Sequence, residues 1–165
     1  MRSITVKQPK IFMSKLLTGD AFDKFLLETA EIETYNTFTI DGRTHKDFYK
    51  GSAEKEEIQL KEFSEWEKIR PICLELIKGK HTPLKLKFVL RLSDDKKEEV
   101  FKDLLNTLSP DQFTPCININ FALGEISVIT GISYNIFTLE KDIEKAWDAY
   151  IPSFLESLGI EITET

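Results

Sequence analysis

Apolar and polar positions alternate with a period of two in several stretches of the chain and recur every three or four residues in others. RSITVK (Arg2 to Lys7) alternates and predicts a short strand. PKIFMSKLLTG follows with helical spacing, Pro9 near its start and Gly19 as its stop. Asp20 begins a turn carrying Phe22 and Phe25. The longest alternation runs from Ala30 to Ile40, with Ala30, Ile32, Phe38 and Ile40 on one face and Glu31, Glu33, Tyr35, Thr37 and Thr39 on the other. Asp41-Gly42 then fits a two-residue type I′ turn, which needs the positive φ that Gly tolerates.

Residues 51–62 are charged and aperiodic and read as a mobile loop. Ser64 and Glu67 have capping-box spacing ahead of a helix with Trp66, Ile69, Cys73, Leu76 and Ile77 on one face. Pro71 lies inside that pattern and predicts a kink or a break; Gly79 ends it. LKLKFVLRL (Leu84 to Leu92) alternates again, with Lys85, Lys87, Val89 and Arg91 opposite five apolar residues. Ser93-Asp94-Asp95 predicts the capped start of a helix that buries Val100, Phe101, Leu104, Leu105 and Leu108. Cys116 to Thr130 reads as a hairpin turning at Gly124-Glu125. A final amphipathic helix spans about Leu139 to Leu158, bent by Pro152 and closed by Gly159, ahead of a loose tail at 160–165. Together these elements predict one α+β domain over residues 1–165, a largely antiparallel sheet with about three main helices.

Thr34 to Asp41 (TYNTFTID) echoes Ser133 to Glu140 (SYNIFTLE), and each is preceded by a strand and a helix containing Leu-Leu. The echo raises an internal β-α-β-β duplication with pseudo-two-fold symmetry.

Composition narrows the function classes. The chain has 165 residues, enough for a sizeable core, and its 12 Phe predict an aromatic one. A net charge of −6 argues against general affinity for nucleic acid or anionic membranes. The two cysteines, Cys73 and Cys116, show no metal-ligand spacing and sit among apolar neighbours. They read as free buried thiols in a reducing, cytoplasmic setting, with no metal and no cofactor. The N-terminus lacks an apolar signal core, and no apolar run approaches the ~20 residues that span a bilayer.

Two constellations could carry chemistry. If Asp41-Gly42 closes a hairpin, Asn36, Arg43, His45, Asp47 and Tyr49 share one sheet face, with Phe38 opposite His45. A His beside an Asp and an Arg could do acid–base work or grip an anion. The plainer reading is a hydrogen-bonded polar sheet edge. Thr44 and Asp47 also fit the start of a helix, which would scatter these side chains. The second constellation is the basic strip Lys78, Lys80, His81, Lys85, Lys87 and Arg91. It fits a phosphate- or nucleic-acid-binding surface, the latter disfavoured by the acidic whole, or a solvated strand whose lysines face Glu31 and Glu33. No triad motif, phosphate loop or metal spacing accompanies either. Trp66 and Trp147, on amphipathic helices, read as core.

TYNTFTIDGRTHKDFY, Trp66, RPICLELIKGKHTPLKLKFVL and IFTLEKDIEKAWD resemble a family of small uncharacterised bacterial (Firmicutes) proteins, a domain of unknown function. The resemblance covers nearly the whole chain and implies a bacterial cytoplasmic protein of one domain. It brings no activity or ligand with it. The function expected from the sequence is a non-enzymatic binding or interaction module, with a protein partner or homodimer left open. The alternative is an enzyme or small-anion binder built on Arg43, His45 and Asp47 with Lys80, His81 and the rest of the basic segment.

Overall fold

The structure, a computed structural model, describes residues 1–50 and 60–164. Seven strands form one antiparallel sheet: β1 (Ser3–Val6), β2 (Phe25–Glu33), β3 (Thr37–Asp41), β4 (Lys85–Leu92), β5 (Phe113–Ala122), β6 (Glu125–Tyr134) and β7 (Ile162–Glu164). Their spatial order is β3-β2-β4-β5-β6-β1-β7. Three substantial helices, α1 (Pro9–Leu17), α2 (Trp66–Ile77) and α4 (Asp142–Ser157), join the single turn α3 (Lys97–Phe101). Among the described residues no helix is long and apolar enough to cross a membrane. The α+β reading therefore holds.

The alternation of β4 and β5 explains the layering. Leu86, Phe88, Leu90 and Leu92 are buried, as are Phe113, Ile117, Ile119 and Phe121. These positions share the face on which the helices pack. The core is aromatic as the composition implied: Phe22 packs edge-on against Phe12 and Phe154, and Phe25 against Trp147. Trp66 and Trp147 are fully buried, and their indole N–H groups donate to the Leu16 and Cys116 carbonyls, both at 2.9 Å. On the opposite sheet face the strand residues are less buried, with Lys85 and Lys87 exposed. There β4 places Lys87 against Glu31 and Lys85 against Glu33, the register the charge pattern implied.

Several local expectations are corrected. Ala30 to Ile40 is not one strand: the chain turns at residues 34–36, and Glu33 pairs with Thr37. Two short antiparallel strands and one long strand carry the same alternation, so periodicity could not separate them. Asp41-Gly42 is not a turn. Gly42 has no positive φ and continues from β3. Phe38 thus faces Ile32 rather than His45. Residues 46–49 form a 3-10 turn, the scattering alternative for Arg43, His45 and Asp47. The Ser64 cap is replaced by Glu65 without a side-chain hydrogen bond, and α2 runs unbroken through Pro71, which lies exposed. The hairpin between β5 and β6 turns at Leu123-Gly124, both with positive φ. The tail is not loose where described: Ile160 is buried and β7 pairs with β1. The proposed loop at 51–62 is described only from residue 60; its greater part lies outside the described residues. The internal echo is not a structural repeat. Thr34 to Asp41 makes a turn and an edge strand, whereas Ser133 to Glu140 makes a strand end and a loop. Moreover β4 lies beside β5, while β1 lies four strands away from β2 in the sheet order.

Gly42 marks where the outer edge of β2 changes partner. β3 pairs with β2 from Thr29 to Glu33, and β2 carries an irregularity between Leu27 and Thr29. Beyond it, the Leu27 N–H donates to the Ser64 carbonyl at 2.8 Å, and Leu26 bridges Glu65. Gly42 joins the two partners: its N–H donates to the Glu28 carbonyl at 2.9 Å, and its carbonyl accepts from the Ser64 N–H at 2.8 Å. A Cβ on Gly42 would overlap the Leu27 carbonyl oxygen and lie 2.7 Å from its carbon. Backbone, not a flexible side chain, would have to move. Gly42→Ala is accordingly expected to cost about 1–3 kcal/mol, the range of overpacked sites, read as a lower urea midpoint with unchanged slope.

Candidate functional site

A cleft of about 810 Å³ lies at one end of the sheet, on the face opposite the core. Its floor comes from strand alternation: Arg91 near the end of β4, Leu26 near the start of β2 and Thr114 near the start of β5 all point to this face. One wall is Lys61, Glu62 and Phe63, held in place by the backbone handover at Gly42. The other wall is Ser93, Asp94, Asp95 and Lys97 with Asp111 and Asn135.

Phe63 is only 4% exposed although it lies away from the main core. Its ring carries the Arg91 guanidinium at 4.3 Å and the Arg43 guanidinium at 5.9 Å, an arrangement in which the π-face attracts cations. Arg91 also donates through Nη2 to Thr114 Oγ1 at 3.2 Å. No carboxylate forms an ion pair with Arg91 among the described residues. A half-buried guanidinium therefore faces the cleft, and among the described residues the Thr114 hydroxyl is the one hydrogen-bond acceptor on its five donors.

The wall residues, by contrast, are closely paired. Lys61 Nζ donates to Ser93 Oγ at 3.1 Å and lies 3.4 Å from Glu65 and 3.7 Å from Asp95. Ser93, itself buried, donates its hydroxyl to Asp95 in a short hydrogen bond. That hydroxyl, more than the Lys61 charge, holds the Asp95 carboxyl below the usual carboxylate range. Asp111 is lowered in the same way by the Ser109 hydroxyl at 2.6 Å. Lys97 is 1% exposed, yet it is satisfied: it donates to the Pro110 carbonyl in a short bond, donates to the Phe113 carbonyl at 2.5 Å, and pairs with Asp94 at 2.7 Å. It ties α3 to the turn that enters β5. Ser93 has an ammonium donor on one side and a well-ionised acceptor on the other. Neither is a strong base, so the geometry suits binding better than nucleophilic attack.

The residues named from sequence fall in three places. Arg43, His45 and Tyr49 line a shallow depression of about 250 Å³ with Phe48. Asp47 is exposed and does not line it. Lys80 and His81 line a separate, mostly apolar depression of about 430 Å³ with Thr34 and Tyr35, and Asn36 is exposed at the turn beside it. No described depression joins His45 to the basic segment. Within that strip Arg91 alone lines the cleft, while Lys85 and Lys87 are exposed and opposite acids. Both thiols are free, and burial pushes them up, Cys73 to about 12. No group of three or more His, Cys, Asp or Glu placed to hold a metal occurs among the described residues.

Lys61, Ser93, Asp95, Lys97 and Asp111 were not foreseen as site residues. The strand end at Leu92 followed by Ser-x-Asp was the one available signal, since a hydroxyl two residues before an acid commonly bonds it in a turn. Lys97 was hidden in the charged run Asp94 to Glu99, where nothing marks one lysine as inward-facing.

A family model described as a family of unknown function (DUF5721) matches residues 15–163. No curated protein and no solved structure matches the chain. The chain belongs to that family of unknown function.

Two outcomes follow from the wall geometry. Because the Asp95 pKa is depressed in the folded state, its contribution to stability is fully present above the unfolded carboxylate value and is lost as pH falls through the folded one. Carboxyl NMR titration should show Asp95 among the lowest midpoints, and Ser93→Ala should return it toward the ordinary range. Separately, Lys97→Met leaves two buried carbonyls without a donor and should lower stability by about 1–3 kcal/mol, measured by urea unfolding.

Proposed function

We propose that this member of the family is a non-enzymatic binding module that holds a small ligand by an anionic group seated on Arg91. The observation that carries this reading is the Arg91 guanidinium, which forms no ion pair among the described residues and is braced on Phe63 and Thr114 on the floor of the 810 Å³ cleft. A guanidinium fixed in this way offers a fork of donors that matches a carboxylate or phosphate bidentately and spends little entropy in doing so. Lys61 sits on the adjoining wall and adds a second cation.

The rest of the cleft limits what the ligand can be. Asp94, Asp95, Asp111 and Glu62 also line it. With Asp95 and Asp111 held ionised, the remainder of the ligand carries hydrogen-bond donors or an ammonium group rather than further negative charge. This favours a small zwitterion or monoanion and disfavours polyanions such as nucleic acid. The two free, high-pKa thiols fit a reducing cytoplasmic setting. The enzyme alternative draws less support, because His45 and Asp47 lie outside the cleft and His45 is exposed.

The test is a thermal-shift screen of small carboxylates, phosphates and amino-acid-like zwitterions against the wild type, Arg91→Met and Arg91→Lys. A ligand at one hundred times its Kd stabilises by about 2.7 kcal/mol, several degrees in Tm for a chain of this size. Arg91→Met should weaken binding by about ten- to a hundredfold with the fold intact, and Arg91→Lys should fall between. Equal stabilisation of wild type and Arg91→Met by every hit would overturn the reading.

A further inference from the structure

We infer that β3 is a self-complementary edge through which two copies of this chain join their sheets about a two-fold axis centred on Thr39. The sheet has two outer strands, and they are treated differently. β7 is three residues long, and its Glu164 is bonded to Arg2. Short length and charge are the usual protections of an edge. β3 is Thr-Phe-Thr-Ile-Asp and among the described residues pairs only with β2. It has no Lys, Arg, Pro or bulge along its length, and three β-branched residues favour extended pairing.

The hydrogen-bond phase of β3 follows from its two ends. The Thr34 N–H donates to the Asn36 carbonyl at 3.0 Å, and the Gly42 N–H donates to the Glu28 carbonyl at 2.9 Å. Alternation along an antiparallel ladder then turns the amides of Phe38 and Ile40 toward β2. Those of Thr37, Thr39 and Asp41 point outward. The outward set is symmetric about its middle residue. An antiparallel copy with Thr39 opposite Thr39 exchanges both backbone bonds there and sets Thr37 opposite Asp41 on either side. Every outward N–H and C=O of the strand finds a partner.

The side chains suit the same register. Phe38 falls opposite Ile40 of the other copy, on the helix-bearing face where both are now only half-buried. Tyr35, 80% exposed, already packs edge-on against Phe38 at 5.5 Å and extends that apolar strip. On the opposite face Thr39 meets Thr39, and the Thr37 hydroxyl lies across from the Asp41 carboxylate, so no like charges come opposite one another. A one-residue slip would turn inward-bonded amides against outward ones, and a two-residue slip keeps the phase but leaves the outward groups of Thr37 or Asp41 without a partner in the strand. The partner is thus a second copy of this chain rather than an unrelated strand.

Sedimentation velocity over a dilution series tests this directly. The wild type should sediment as a dimer at high concentration and dissociate on dilution. Thr39→Pro removes the central donor, and Thr39→Glu sets two carboxylates opposite each other; both should be monomeric over the same range. Far-UV circular dichroism should match that of the wild type, and where Thr39→Pro fails that check, Thr39→Glu decides. The Thr39 amide should also exchange more slowly as wild-type concentration rises. A wild type that stays monomeric throughout, or a folded Thr39→Glu that dimerises as the wild type does, would overturn the inference.

Discussion

Two backbone segments meet at Gly42 more closely than any side chain would allow, and the cleft depends on that approach. β2 needs a hydrogen-bonding partner along its whole outer edge, and β3 supplies one only as far as Thr29. The strand alternation is interrupted at Glu28, the chain at Gly42 slides against the Leu27 carbonyl, and Ser64 takes over. The exchange satisfies backbone groups that would otherwise be orphaned beside the core. It also decides where Phe63 goes, one residue from the new partner.

The aromatic ring and the guanidinium turn that backbone event into a site. Phe63 is buried on the side of the sheet opposite the main core, with Arg91 across its face and Leu26 lining the same cleft. Burial of such a ring contributes on the order of 1.5–3 kcal/mol, enough to hold the segment that carries Lys61 in place. Arg91 in turn is kept from folding back onto the nearby acids, because those are occupied: Asp94 by Lys97, and Asp95 by Ser93 with Lys61. Arg91 is thus left facing the cleft while Lys61, Lys97, Asp94 and Asp95 are paired among themselves.

How much of this was legible in the sequence depends on which level is asked. The core was, since Leu86, Phe88, Leu90 and Leu92 alternate and the α4 positions Ile143, Trp147, Ile151 and Leu155 repeat at helical intervals; all are buried. The pairing of Lys85 and Lys87 with Glu33 and Glu31 was also readable from charge. Turn positions were less so: the 34–36 turn interrupts an alternation that continues in phase on either side, and Asp-Gly advertised a turn that the close approach to Leu27 forbids. The candidate site was least legible. It is assembled from residues 61–63, 91–97 and 111–114, brought together by sheet order alone, and no local spacing encodes sheet order. Arg43 was singled out for its neighbours His45 and Asp47, yet its nearest link to the cleft is the ring of Phe63.

Arg91 is the proposed ligand-binding cation. The most direct measurement is the side-chain Nε–Hε resonance of Arg91, assigned by its loss in Arg91→Lys and followed while a stabilising anion is titrated in. This resonance should shift with the same saturation curve as backbone amides of Ser93 and Thr114, while those of His45 and His81 stay still. Saturable shifts centred on residues 43–49 or 78–84, with Arg91 unmoved, would contradict it.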